Sequence, residues 1–395
     1  MKYLNRISGV LVVFLFCHWL LTPPSSASAA VKPPSISAES AALIDVQSGR
    51  ILYQKEGDKK MRIASLTKTM TAIVAIEEAN LQDVVKVPNE AVGVEGSSIY
   101  LKKGEQLKLE ELLYGLMLRS GNDAAVAISH HVGGSVPGFV HLMNEKAAMI
   151  GMTHTNFNNP HGLDDSNMHY STANDMVKLS AYALKNPTFR KIVSTKVTNI
   201  SWEGENWDRR LQNKNKMLYL YKGADGVKTG YTKLAKRCLA SSATRDGRQL
   251  AVITLNAPDD WNDSSELMDW GFQQFQQEKI ISKGAAIGGD LNIAPIKEGL
   301  NLVTLNDFFY PLKAGEKSQI HTNVQLLNKN VPLDKNWIGE HVGYVQVYLD
   351  KQLIGKIPLI VQDDQTTFQP LEIATSKDTF WAIVLEVLLG GFYHA

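Results

Sequence analysis

The strand-like segments in the first 280 residues lie at the two ends of that stretch, with helices between them. This order restricts the fold more than any other feature of the chain. Residues 41–45 and 51–54 are apolar, β-favouring runs joined by the turn Gln47-Ser48-Gly49-Arg50. Residues 227–232, 237–244 and 250–256 form the later set. Arg245-Asp246-Gly247-Arg248 joins the last two, and its Asp-Gly pair suits a tight hairpin. Between the two sets, helices are predicted from Met70 onward, over 109–118, over 123–132 up to Gly133-Gly134, and over 176–184. The last of these opens with Ser171-Thr172 and carries Asp175 three residues past Thr172, the pattern of a capping box. Strands this far apart most simply pair with one another. The expected architecture is therefore α+β: one antiparallel sheet assembled from both ends of the region, with a helical part packed on it.

The texture changes near Lys283-Gly284-Ala285-Ala286-Ile287-Gly288-Gly289. From 291 to 369 the chain shows short strand-like runs, such as 343–349 and 352–361, and no helical periodicity. A small all-β second domain is expected there, and 395 residues is a length that suits two domains. Hydrophobic residues at 44% and charged residues at 21% fit a globular protein with a sizeable core. A formal charge of +1 gives no reason to expect a nucleic-acid partner.

The N-terminus reads as a targeting segment. Lys2 and Arg6 precede an apolar run over 7–21, and Ala27-Ser28-Ala29 follows, the order of a secretory signal peptide cleaved near Ala29. The run is shorter than the roughly 20 residues that span a bilayer. Cleavage would remove Cys17 and leave Cys238 as the single cysteine, so no internal disulfide is expected. Cys238 falls in a predicted core strand and reads as a packing residue.

One apolar helix raises a chemical question. In RIASLTKTMTAIVAI, residues 62–76, a hydroxyl and an amine stand three residues apart, Ser65 and Lys68, at the mouth of a helix that otherwise belongs in a core. At that spacing they share a face. A helix N-terminus offers unpaired backbone N–H groups and a positive dipole end, good conditions for holding an oxyanion. Serine becomes a nucleophile when a base takes its proton. Lysine serves as that base when burial or a second cation lowers its pKa. Ser-x-x-Lys alone is common, and by itself it is better explained by a helix cap beside a solvated lysine. Two further stretches alter the balance: Ser120-Gly121-Asn122 between two helices, and Lys228-Thr229-Gly230 at the start of a strand. Lys228 is a candidate for the second cation, and Gly230 would let a substrate backbone approach the strand.

The set Ser-x-x-Lys, Ser-x-Asn and Lys-Thr-Gly resembles that of penicillin-binding proteins and serine β-lactamases. RIASLTKTMTA, LMLRSGNDAAVAI, NPHGLDD, YSTANDM and GVKTGYTKLAKRCL look like low-molecular-weight penicillin-binding proteins, the serine-type D-alanyl-D-alanine carboxypeptidases of the peptidase S11 family. The resemblance runs from about residue 36 to 275 and continues more weakly over the β domain and tail. KTGYTKLAKR is most similar to the sporulation-type carboxypeptidase of spore-forming bacteria. Most relatives have a glycine where Lys236 stands, a departure that bears on subgroup and not on reaction.

The resemblance implies a β-lactamase/transpeptidase-like fold over 30–280 after a signal peptide at 1–29, an all-β domain over 285–372, and an amphipathic membrane-associating helix over 374–395. It implies that Ser65 attacks the carbonyl between the terminal D-alanines of a peptidoglycan stem peptide and that Lys68 accepts its proton. Ser120 would relay a proton to the leaving D-alanine, while Asn122 would hold Lys68 and the substrate's peptide. Lys228 would supply positive potential and Thr229 would bind the terminal carboxylate. Gly230 is part of the same substrate-binding strand, and the backbone N–H groups of Ser65 and Tyr231 would form the oxyanion hole. No cofactor or metal is implied. Stem peptides and the membrane surface are the implied partners, and β-lactam antibiotics the implied inhibitors. The enzyme would stand at the outer face of the cytoplasmic membrane, or in the space between forespore and mother cell.

The remaining features have plainer readings. A β-lactamase would carry the Glu-x-x-Leu-Asn segment of class A enzymes, which is absent. His130-His131 and His161 lack metal-site spacing, and His161-Gly162-Leu163-Asp164 reads as a turn supporting the site. Arg248, at a hairpin tip near the Lys-Thr-Gly strand, reads as solvated, with a carboxylate contact as the alternative. Residues 380–389 are apolar apart from Glu386 and too short to span, so they suit the membrane interface or a protein surface.

Overall fold

The computed structural model describes residues 32–287, 296–297, 299–328 and 331–363. The expected signal peptide at 1–29 and helix at 374–395 lie outside the described residues. Among the described residues, no helix is long and apolar enough to cross a membrane. The chain divides into two units. The first holds residues up to Glu278 together with Tyr310–Lys317, and the second holds Lys279–Phe309 and the residues from Ser318 onward.

The first unit is built on a five-stranded antiparallel sheet. Its strands are β1 (Ser40–Asp45), β2 (Ile51–Lys55), β3 (Ala224–Thr232), β4 (Lys236–Arg245) and β5 (Arg248–Leu255), in the spatial order β2-β1-β5-β4-β3. The closing pair is the long-range one: β1 runs beside β5 from Ser40↔Leu255 to Asp45↔Leu250. Both ends of the region thus share one sheet, as the order of segments predicts.

All six residues of β1 are buried, so both faces of the sheet are covered. The strand's period of two sends Ala42 and Ile44 to one core, with Ala240 and Ile253, and Ala41 and Leu43 to another, with Leu239, Val252 and Leu267. The first core is closed by the helices α1 (Lys68–Glu78), α2 (Leu109–Leu118), α3 (Asn122–Gly133), α4 (Val136–Ile150) and α5 (Ala173–Leu184), and the second by α6 (Asp260–Gln274). Cys238 is fully buried in the first core, and burial pushes its thiol up to about 12, which leaves it a packing residue.

Local signals hold with two differences. Thr172 Oγ1 accepts from the backbone N–H of Asp175 at 3.1 Å, the expected cap of α5. The Asp175 carboxylate instead accepts from His154 N and Thr155 Oγ1, each at 2.8 Å, and so ties the helix start to a neighbouring loop. The second difference is Arg248. The hairpin turns at Asp246 and Gly247, both at positive φ. Arg248 does not point to solvent: its Nε donates to Asp45 Oδ2 at 2.8 Å and its side chain is 10% exposed. Asp45 is fully buried and closes the turn at Ser48, so without Arg248 it would be a buried charge that has lost its hydrogen-bonded cation.

The second unit carries a four-stranded antiparallel sheet of β6 (Leu300–Thr304), β7 (Ile320–Leu326), β8 (His341–Leu349) and β9 (Gln352–Asp363), in the order β6-β9-β8-β7. Its core includes Leu302, Val345, Val347, Leu359 and Val361. This agrees with the all-β expectation.

Arg248→Met should lower the stability of the first unit by about 3 kcal/mol, because it strands the Asp45 carboxylate. Asp45→Asn in the same chain should return part of that loss. Urea unfolding of the three variants measures both effects.

Candidate active site

Ser65 lies in a single 3₁₀ turn, Ala64–Thr67, that leads into α1 at Lys68. The expectation placed it inside the first α-helical turn. The tighter turn nearly eclipses positions i and i+3 and so brings the two side chains closer than an α-helix would. Ser65 Oγ and Lys68 Nζ are 3.0 Å apart. The turn begins at Ala64 with φ +46°, a strained value for a residue with a Cβ. Gly162, at φ +87°, lies against it: a Cβ on Gly162 would sit 1.9 Å from the Ala64 carbonyl oxygen.

Lys68 is fully buried and its amine meets three oxygens. Two of them only accept: Asn122 Oδ1 at 2.6 Å and the His161 carbonyl at 2.7 Å. The orientation of the Asn122 amide is set by its Nδ2, which donates to the Glu95 carbonyl at 2.5 Å. A neutral amine has two hydrogens and one lone pair. In that form the hydrogens would go to Asn122 and His161, which would leave the lone pair for the Ser65 hydroxyl. Burial holds the Lys68 pKa well below the usual lysine range, and the charges of Lys228 and Lys214 depress it further.

Lys228 comes from β3, is 2% exposed, and donates to the Thr229 carbonyl at 2.7 Å. Burial, then the charge of Lys214, lowers its pKa to about 7. The strand passes so close to the serine turn that a Cβ on Gly230 would lie 3.1 Å from Ser65 N. The glycine therefore admits the protein's own backbone, where the sequence suggested a substrate's. A cleft of about 330 Å³ opens above, lined by Ser65, Ser120, Thr229, Gly230 and Tyr231, together with Lys214. Ser120 sits at φ +65° in the link between α2 and α3, so a strained backbone presents its hydroxyl to the cleft.

All eight residues singled out in the sequence thus meet in one place. Lys68, Asn122 and Lys228 lie behind the cleft and the other five at its wall. Three contributions were missed. Lys214, bonded to Ser97 Oγ at 2.9 Å, adds a third cation, and nothing in Asn213-Lys214-Asn215 marks it. Arg237, Asp260 and Trp261 close one end of the cleft, where the Arg237 guanidinium is paired with Asp260. The His161 turn, read as support, supplies a direct acceptor to Lys68. This last contact is made by a backbone carbonyl, which no residue pattern advertises.

Known proteins resemble this chain in sequence and in fold. Residues 27–259 match the family of D-alanyl-D-alanine carboxypeptidases, and residues 275–367 match the C-terminal domain of penicillin-binding protein 5. The chain is 30% identical to D-alanyl-D-alanine carboxypeptidase DacF of Bacillus subtilis, covering 83% of this chain and 85% of that one. It is 32% identical to D-alanyl-D-alanine carboxypeptidase DacA of Haemophilus influenzae, covering 85% and 86%. Among solved structures, penicillin-binding protein 5 of Haemophilus influenzae superposes with a TM-score of 0.68 at 30% identity, covering 85% of this chain and 99% of that one.

Lys214→Gln should raise the pKa of Lys68, because it removes one of the positive charges that depress it. Less of the amine is then neutral at pH 7. The acid limb of Ser65's reactivity toward an acylating reagent should move to higher pH, and the rate at pH 7 should fall several-fold. A pH–rate profile of both proteins checks this.

Proposed function

This chain belongs to the D-alanyl-D-alanine carboxypeptidase family of serine peptidases, and from that premise we propose how its residues carry out the reaction. The observation that carries the proposal is the buried Lys68 amine, held 2.6 Å from Asn122 Oδ1, 2.7 Å from the His161 carbonyl and 3.0 Å from Ser65 Oγ, so that as a neutral base it would turn its lone pair to Ser65.

Lys68 Nζ takes the Ser65 hydroxyl proton as Oγ attacks the carbonyl between the two terminal D-alanines of a peptidoglycan stem peptide. The oxyanion is received by the backbone N–H groups of Ser65 and Tyr231, a type of contact worth about 2.7–4 kcal/mol of barrier in comparable enzymes. The proton passes by way of Ser120 to the departing amine, the C–N bond breaks, and D-alanine leaves. An ester on Ser65 remains. Water attacks it, and the stem peptide is released one residue shorter. Lys228 and Lys214 keep Lys68 neutral and hold a positive potential over the site, and Thr229 with that potential binds the substrate's terminal carboxylate. Asn122 positions Lys68 and the substrate's peptide. Penicillins would acylate Ser65 in the same way, because their strained amide presents the same carbonyl.

The further parts of the proposal concern place and timing. The charged, apolar and small-residue order of 1–29 supports export, to the outer face of the cytoplasmic membrane. Residues 30–280 would form the catalytic domain, 285–372 the β domain, and 374–395 a helix lying in the membrane interface. Likeness to the sporulation-type enzymes supports a role in spore-cortex peptidoglycan. Abundance during exponential growth would count against that role.

Incubation with labelled penicillin and with a peptide ending in D-Ala-D-Ala tests the mechanism. Wild type should carry a stable label on Ser65, located by mass spectrometry, and release D-alanine. Ser65→Ala should lose the label and at least about 10³-fold of the activity. Rapid turnover of penicillin without stable label would indicate a β-lactamase, and neither label nor release would indicate a silent binding protein. Removing 376–395 should leave an active enzyme that no longer sediments with membranes; continued sedimentation would rule out the helical anchor.

A further inference from the structure

The backbone of Ala64 sets the aim of Ser65, and a hydrogen-bonded chain that ends in His169 holds that backbone from the side away from the cleft. Each link of the chain has one possible direction. The backbone N–H of Asn158 donates to His169 Nδ1 at 3.0 Å. Because a backbone N–H cannot accept, Nδ1 carries the lone pair and the ring proton sits on Nε2. Nε2 lies 2.8 Å from Thr67 Oγ1 and so donates to it. The Thr67 hydroxyl then has its own hydrogen free for the Ala64 carbonyl, 2.9 Å away.

His169, Thr67 and Ala64 are all buried, and water does not compete for these bonds. Burial brings the imidazole pKa down to about 4; the Asp164 charge opposes this and the Arg62 charge adds to it. The ring is neutral at physiological pH, as the chain requires. Phe157 meets the ring edge to face at 5.9 Å and fixes its plane.

The Ala64 carbonyl is clamped. Gly162 presses on it with no room for a Cβ, and Thr67 holds it by a hydrogen bond. The residue so held has φ +46° and directly precedes Ser65. Without the clamp, the turn would be free to relax toward an ordinary backbone, and Oγ would swing away from Lys68 Nζ.

We propose that His169 is a positioning residue for Ser65: acting through Thr67, it fixes the Ala64 carbonyl and with it the direction of Ser65 Oγ. His169 does not line the cleft, so its effect falls on the rate at which Ser65 is acylated and not on substrate contacts. The inference rests on the reading of Ser65 as the nucleophile.

The test measures the rate constant for acylation of Ser65 by labelled penicillin, with thermal unfolding followed alongside. His169→Ala and Thr67→Val should each slow acylation by roughly 10- to 100-fold, the scale of a misplaced reacting atom. The double variant should be no slower than the slower single, because both act along one path. His169→Gln should recover to within about threefold of wild type, since its amide accepts through Oε1 and donates through Nε2 as the neutral ring does. A wild-type acylation rate in His169→Ala, a His169→Gln as slow as His169→Ala, or losses that multiply in the double variant would each overturn the proposal. Should His169→Ala fail to fold, Thr67→Val decides alone, and an unchanged rate there overturns it. Absence of label on Ser65 in wild type would fault the proposed function and with it the premise of this inference, whereas the outcomes above overturn the inference alone.

Discussion

An uncharged amine in a protein interior is cheap to bury but hard to aim, and the first unit is organised around aiming one. Lys68 enters the core at the first position of an apolar helix, where water cannot reach it. Burial disfavours its charged form, and two more lysines add to the effect. The acceptors of Asn122 and His161 then take up its hydrogens. Among the described residues, the neighbour placed to give a neutral Lys68 a proton is the hydroxyl of Ser65 at 3.0 Å. The same three contacts would suit an ammonium. It is the desolvation and the crowd of positive charge that favour the neutral form, the form that the proposed mechanism needs.

The sheet makes this arrangement possible by bringing β3 across the mouth of the helix. Lys228 and Gly230 stand on one strand but do different things. The lysine sinks behind the cleft, where burial lowers its pKa, and the glycine lets the strand come against Ser65 N. That strand is reached only because β1 and β5, from opposite ends of the region, pair in the middle of the sheet. Some of the chain's backbone strain lies at or near the resulting cleft. Ala64, Ser120 and Lys236 all have positive φ without being glycine. The Lys236 value, +59°, is one that glycine adopts freely, so the glycine that the family resemblance leads one to expect there would fit without strain.

Much of the scaffold was legible because its signals are local. The helix over 109–118 falls exactly where periodicity put it, Thr172 caps the helix it was expected to cap, and Asp246-Gly247 turns the hairpin it was expected to turn. Arg248 was misread for the opposite reason. Nothing near it in sequence reveals that the buried carboxylate of Asp45, some two hundred residues earlier, ends up beside it. Lys214 and His169 were overlooked on the same ground, since each acts through a neighbour that only folding supplies.

The amino-acid sequence by itself determined which chemical groups are present and the local geometry that carries them: a serine and a lysine at i and i+3, a serine and an asparagine between two helices, and a lysine and a glycine on a strand. Spacing along the chain fixes such geometry within a turn or a strand, because covalent dimensions and backbone sterics leave few choices there. Tertiary structure alone decided the state of those groups. The proton inventory of Lys68 depends on how deep it lies and which charges surround it, and the orientation of Ser65 depends on a carbonyl held by a histidine a hundred residues away. Burial and long-range contact are properties of the packed chain, and no short stretch of residues contains them.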